Sequence, residues 1–217
     1  SGSADDSQSK LKNAGRIILM FTQTTNGRLA EYTDWRCAEL SKTGSTVYYL
    51  ALLPNILCRQ APLTGPQTGS GLSDLLLRIS GGGLSVSELG SYMAIDRQGR
   101  LQIRPSDRAD DLLDCRPQDL FQLVVLLRER VLASEDNLLV VEAACVSFRA
   151  VQAIVPLFDV VEIIMPDESD FAGKALLREI GELLPELSAS AKLKQINELS
   201  FKEQRIKALR TARNATV

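Results

Sequence analysis

Arg16-Ile-Ile-Leu-Met-Phe-Thr22 is an apolar run held between an arginine and a threonine. A strand with one face in water alternates polar and apolar residues. An unbroken run therefore suits a strand covered on both faces, as in a parallel sheet. Similar runs recur at Thr46-Val-Tyr-Tyr-Leu-Ala-Leu52, Asn137-Leu-Leu-Val-Val-Glu142 and Val160-Val-Glu-Ile-Ile-Met165. Leu101-Gln-Ile-Arg104 is shorter and alternates, which puts it nearer an edge. Segments of helical period lie between these runs. One covers residues 29–40, and a second carries Leu72, Leu75, Leu76 and Ile79. A third has Leu120, Val124, Leu127 and Val131 behind Pro117, a residue suited to a first helical turn. Phe171, Ala175, Ile180, Leu183 and Leu184 make a fourth. This alternation predicts an α/β fold: a mainly parallel β-sheet flanked by helices on both faces.

Composition narrows the chemistry. The 217 residues are 45% hydrophobic and 24% charged with a net charge of −2, enough for one sizeable core. Histidine is absent, which removes the commonest general base and the Ser-His and Cys-His nucleophile pairs. Near-neutral charge disfavours a protein built to neutralise nucleic-acid phosphates. Glu142, Asp159 and Glu162 break the most apolar stretches, so no run approaches the roughly 20 residues of a membrane span. No secretory signal is visible. Cys37, Cys58, Cys115 and Cys145 lie far apart without a C-x-x-C pair and read as reduced thiols; no metal site is expected. Asp110, Asp111, Asp114 and Asp119 cluster near Arg108 and Arg116, and Asp119 suits a helix N-terminus better than a cation site. Gly81-Gly-Gly83 follows a helix rather than a strand and reads as a helix stop.

Three regions follow. Residues 1–14 read as a polar tag or linker, 15–187 as the folded domain, and 188–217 as a basic helical tail. From Lys192 to Arg213 seven basic residues face only Glu198 and Glu203. The apolar stripe of that tail wanders, which favours packing on protein and leaves only weak contact with a membrane surface.

In such a sheet the turn after the first strand is the default ligand site. Here it reads Phe21-Thr-Gln-Thr-Thr-Asn-Gly-Arg-Leu-Ala-Glu-Tyr32. The chain at this point resembles the MinD/ParA family of P-loop ATPases, most closely its TadZ/CpaE pilus-assembly branch. Gly71-Leu-Ser-Asp-Leu-Leu-Leu77, Asp111-Leu-Leu-Asp-Cys-Arg-Pro-Gln-Asp-Leu-Phe121 and Phe158-Asp-Val-Val-Glu-Ile-Ile-Met-Pro166 with Ser169-Asp-Phe-Ala-Gly-Lys174 are similar to family segments in order and wording. The resemblance spans about residues 15–187 and fails where the chemistry would lie. On the family's K-G-G-x-G-K-T-T pattern Thr25 takes the place of the signature lysine, and Asn26 and Gly27 that of the glycine pair. Leu29 falls on a later glycine, Ala30 on the phosphate-gripping lysine, and Glu31 and Tyr32 on the two threonines. Tyr48-Tyr-Leu-Ala-Leu-Leu-Pro-Asn55 keeps Pro54-Asn55 but has apolar residues in place of aspartates, and Glu142 stands at the Walker B position.

Backbone N–H groups and a lysine ammonium hold phosphates in a P-loop, and glycines let the backbone approach. Two lost lysine contacts remove about 3–6 kcal/mol, counting about 1.5–3 for each charge-assisted bond. That lowers affinity by a factor of about 10²–10⁴. The resemblance and the losses together imply a non-catalytic pseudo-ATPase without cofactor, a scaffold or localisation subunit of a Tad/Flp-type pilus or secretion machine. Its expected partners are assembly proteins, a second copy or an active paralogue, in the cytoplasm or at the inner face of the cell membrane. Tyr32, Trp35, Tyr48 and Tyr49 lie near the altered turn, where they either fill a dimer cleft or belong to the core. Two other readings stand beside this one. One is an active ATPase using Arg28 for phosphate and Glu142 for magnesium or water. The other is an α/β receiver-like regulatory module of a larger signalling protein.

Overall fold

The computed structural model describes residues 16–21, 28–53, 71–106, 108, 110–144, 146–164, 174, 178, 180–182, 185 and 192–196; for residues 28 and 29 it describes the backbone alone. Seven strands form one sheet among these residues: β1 (Ile17–Phe21), β2 (Thr46–Leu52), β3 (Met93–Ile95), β4 (Leu101–Ile103), β5 (Asn137–Ala143), β6 (Val160–Ile164) and β7 (Lys192–Ile196). Their spatial order is β3-β4-β2-β5-β1-β6-β7, and every neighbouring pair is parallel except β3 with β4. The expected parallel sheet is present, with its four apolar runs side by side at the centre.

Among the described residues, five α-helices have both ends placed and flank it: α1 (Arg28–Ser41), α2 (Leu72–Ser80), α3 (Asp110–Leu113), α4 (Pro117–Leu132) and α5 (Phe148–Ile154). One face of the sheet carries Ile17, Leu19, Phe21, Leu50, Leu139 and Val161 and packs on α2, α4 and α5. The other carries Ile18, Met20, Val47, Val140 and Val160 and is covered by Tyr32, Cys37 and Leu40 of α1. Successive strand side chains point to opposite faces, so each run feeds both cores. Ile180, at a described helical position of the fourth expected helix, joins the first of them.

Local chemistry explains the ends. Pro117 opens α4, and Asp119 in its first turn pairs with Arg116 at 2.8 Å. Asp111 accepts from Ser73 and Ser106, tying α3 to α2. After α2, Gly82 adopts φ +75°, a conformation that disfavours side chains, so the triple glycine is the helix stop the sequence predicts. At the base of the sheet, the Asp159 carboxylate accepts from the Arg16 and Ile17 amides at 2.8 and 3.0 Å and fixes the start of β1.

One expectation is corrected. Residues 192–196, read as part of a helical tail, form β7 beside β6, so the sheet continues past the boundary placed at residue 187. Lys-Leu-Lys-Gln-Ile alternates, and Leu193 turns toward the core, the period-two pattern of a half-covered strand. Leu101–Ile103 lies near an edge as its alternation predicts, with the three-residue β3 paired outside it through the Asp96–Gly99 turn. Residues 1–14 and 197–217 lie outside the described residues. Leu139, fully buried on β5 between β1 and β2, tests the core. Leu139→Ala should lower unfolding free energy by about 2–5 kcal/mol in urea titration.

Candidate functional site

The row of register partners Ala51, Glu142, Met20, Glu162 and Lys194 crosses five strands near the carboxyl end of β1 and β5. Two glutamates thus flank Met20 beneath α1, and each is only 1% exposed. A carboxylate cannot stay in such surroundings without partners. The sequence places them there as the lone charges within otherwise apolar strands.

Glu142 receives its bond from Tyr49 on β2, whose hydroxyl lies 2.5 Å from Oε2. Burial pushes the Glu142 carboxyl above the ordinary glutamate value, while the Tyr49 hydrogen bond opposes the shift. Burial and the nearby Glu142 charge push the Tyr49 phenol well above its own usual value, so it remains a donor. The Arg100 guanidinium stacks over the Tyr49 ring at 4.4 Å. Its Nε donates to Asp96 at 2.6 Å and its Nη1 to Asp34 of α1 at 2.8 Å. A buried cation therefore joins the β3–β4 turn, α1 and the tyrosine that holds Glu142. Cys37 lies in the same region; burial raises its thiol to about 12, which makes it unreactive.

Glu162 has a different set of partners. The Tyr32 hydroxyl donates to its Oε2 at 2.8 Å, Lys194 Nζ to its Oε1 at 3.0 Å, and Arg36 Nη2 lies 3.4 Å from Oε1. Tyr32 and Arg36 stand one helical turn apart on α1, so both reach the same carboxylate.

Thr25, Asn26 and Gly27 of the altered loop lie outside the described residues, as does the side chain of Leu29. Ala30, Glu31 and Tyr32 belong to the opening turns of α1, with Glu31 exposed and Tyr32 buried. Where the resemblance puts a second threonine, the chain has a phenol turned into the core.

The four aromatic residues do not form one patch. Tyr48 and Tyr49 are neighbours on β2 and therefore point to opposite faces, Tyr48 into the first core and Tyr49 into the second. Tyr32 packs at 5.7 Å against Trp35, which is partly buried at the margin of the second core. Tyr32, Tyr48 and Tyr49 are buried in the chain's own cores, and Trp35 is partly buried at the margin of the second. Glu162, Arg100 and Lys194 were not among the site residues expected from the sequence. A charge inside a doubly covered strand was the available signal for Glu162; nothing local marks Arg100. Among the described residues no group of three His, Cys, Asp or Glu could hold a metal ion, and no helix is long and apolar enough to cross a membrane.

No protein-family model and no curated protein sequence matches the chain. Solved structures do. The chain is similar to cobyrinic acid a,c-diamide synthase from Mycobacterium smegmatis with bound ATP analog and magnesium, at 14% identity over 84% of this chain and 74% of that one, TM-score 0.58. It is similar to a ParA family ATPase from Chlorobium tepidum TLS at 15% identity, covering 85% and 74%, TM-score 0.57. Apo McdA from Cyanthece matches at 13% identity, covering 84% and 71%, TM-score 0.55. The chain has the MinD/ParA-like P-loop NTPase fold.

Glu142 generates a pH prediction. Its folded value lies above the ordinary 4.5, so the folded state holds the proton more tightly than the unfolded chain. Below pH 4.5 the group is protonated in both states; above it, stability falls until the folded carboxyl has also ionised. Glu142→Gln removes this loss, so its stability relative to the parent protein should rise as pH increases from 4 to 8 in urea titrations. Tyr49→Phe, which strips the carboxyl of its donor, should cost about 1–3 kcal/mol at pH 7.

Proposed function

We propose that this chain is a non-catalytic relative of the MinD/ParA ATPases that acts as a protein-interaction scaffold or localisation subunit. The observation that carries the reading is the commitment of Glu142 to Tyr49 inside the core. An acid that serves magnesium needs a free, ionised carboxylate facing the ligand. This one is buried, shifted toward its neutral form and hydrogen-bonded by a phenol. The sequence of the crossover turn supports the same reading, since it has no lysine and carries Glu31 and Tyr32 where the family pattern has its threonine pair.

The setting proposed from the resemblance is a Tad/Flp-type pilus or related secretion assembly. There the subunit works in the cytoplasm or against the inner face of the membrane, with a second copy or an active paralogue as its mate. The opposing reading is an ATPase with an unorthodox loop, using Arg28 for phosphate and Glu142 for the metal. It draws on the ATP analog and magnesium bound by the synthase of the same fold.

Isothermal titration separates the two. With magnesium present, ATP should bind no more tightly than about millimolar, and light scattering should give the same oligomer with and without nucleotide. Low-micromolar binding, or turnover that Glu142→Gln abolishes, contradicts the scaffold reading.

A further inference from the structure

β7 differs from the other long strands of the sheet. β1, β5 and β6 are buried almost throughout, whereas β7 is exposed or half-exposed at all its positions. Leu193 and Ile196 rest only partly buried against the two cores. Its side-chain polar tie to the sheet is Lys194 to Glu162.

That tie has an unusual partner arrangement. Oε2 of Glu162 belongs to Tyr32, while Oε1 is shared by two cations, Lys194 at 3.0 Å and Arg36 at 3.4 Å. Two positive charges thus face one buried carboxylate, and they repel each other. The Arg36 guanidinium is under-used, because its Nε is buried without a hydrogen-bond partner. Removing an only partner from a buried carboxylate is strongly destabilising, since an uncompensated charge remains. Here the loss of Lys194 leaves Arg36 within a few tenths of an ångström of a full bond to the same oxygen. The penalty that normally locks a buried ion pair is therefore missing at β7.

We propose that β7 is a releasable strand, with Arg36 as the stand-in cation that keeps Glu162 paired when Lys194 departs. Release uncovers the edge of β6 while α1 stays anchored through Tyr32 and Arg36. The two lysines of Lys-Leu-Lys-Gln-Ile favour solvation of the detached strand.

Native-state hydrogen exchange on the full chain tests this, because it reads local opening separately from global unfolding. Amides of β7 should exchange at least about tenfold faster than those of β5. Lys194→Met should accelerate β7 further and leave α1 unchanged. Arg36→Met alone should be equally mild outside α1, whereas the double variant should lose protection throughout α1 and β6 by more than the product of the single effects. A double variant that fails to fold while both single variants fold is the same result in its extreme form. Exchange of β7 in step with β5, or loss of α1 protection in Lys194→Met alone, overturns the proposal. So does a double variant whose effects simply multiply.

Discussion

A carboxyl group buried under a helix must be hydrogen-bonded, paired or protonated, and this chain buries two of them in one row across its sheet. The arrangement around α1 follows from meeting that demand. Tyr49 serves Glu142 and is itself held by the stacked Arg100. Tyr32, Arg36 and Lys194 serve Glu162. Helix α1 contributes to both sets through Asp34, Tyr32 and Arg36, so its seating over the sheet is set by charge as well as by apolar contact.

The consequence for function lies in what these partners are. On the proposed reading Glu142 stands where a working ATPase would keep an acid for its metal. The donors that meet it here come from the protein. Phenols and guanidinium groups make the site self-contained, and the internal cation Arg100 supplies positive charge close to Tyr49 without any ligand. The proposed scaffold role grows from that self-sufficiency: a surface kept in one shape by its own interior does not need nucleotide to set it.

Much of the fold was legible in the sequence for a simple reason. Strands covered on both faces have no polar positions to hide the pattern, and β1, β2, β5 and β6 are of that kind. Pro117 and Gly82 marked helix ends through constraints on φ that act locally. The margins were harder to read. β7 is a short strand with two lysines, and its alternation competes with a helical reading of a basic tail. β3 spans three residues, too few for any period to show. The candidate site was half legible. Glu142 was found as an acid at a strand end, but its union with Tyr49 depends on the register that sets β2 beside β5, a long-range fact without a local signal. That the adjacent Tyr48 and Tyr49 serve different cores is likewise visible only in the sheet.

Under α1 the side chains around Glu142 bond to one another, and Met20 sits beside both glutamates as a built-in probe. The most direct test is the methyl NMR signal of Met20 in protein labelled at methionine, recorded while manganese and ATP are added together. The account predicts a signal that keeps its position and width, because no metal comes near Glu142. Selective broadening of the Met20 methyl by manganese–ATP, relieved by magnesium–ATP, would contradict it.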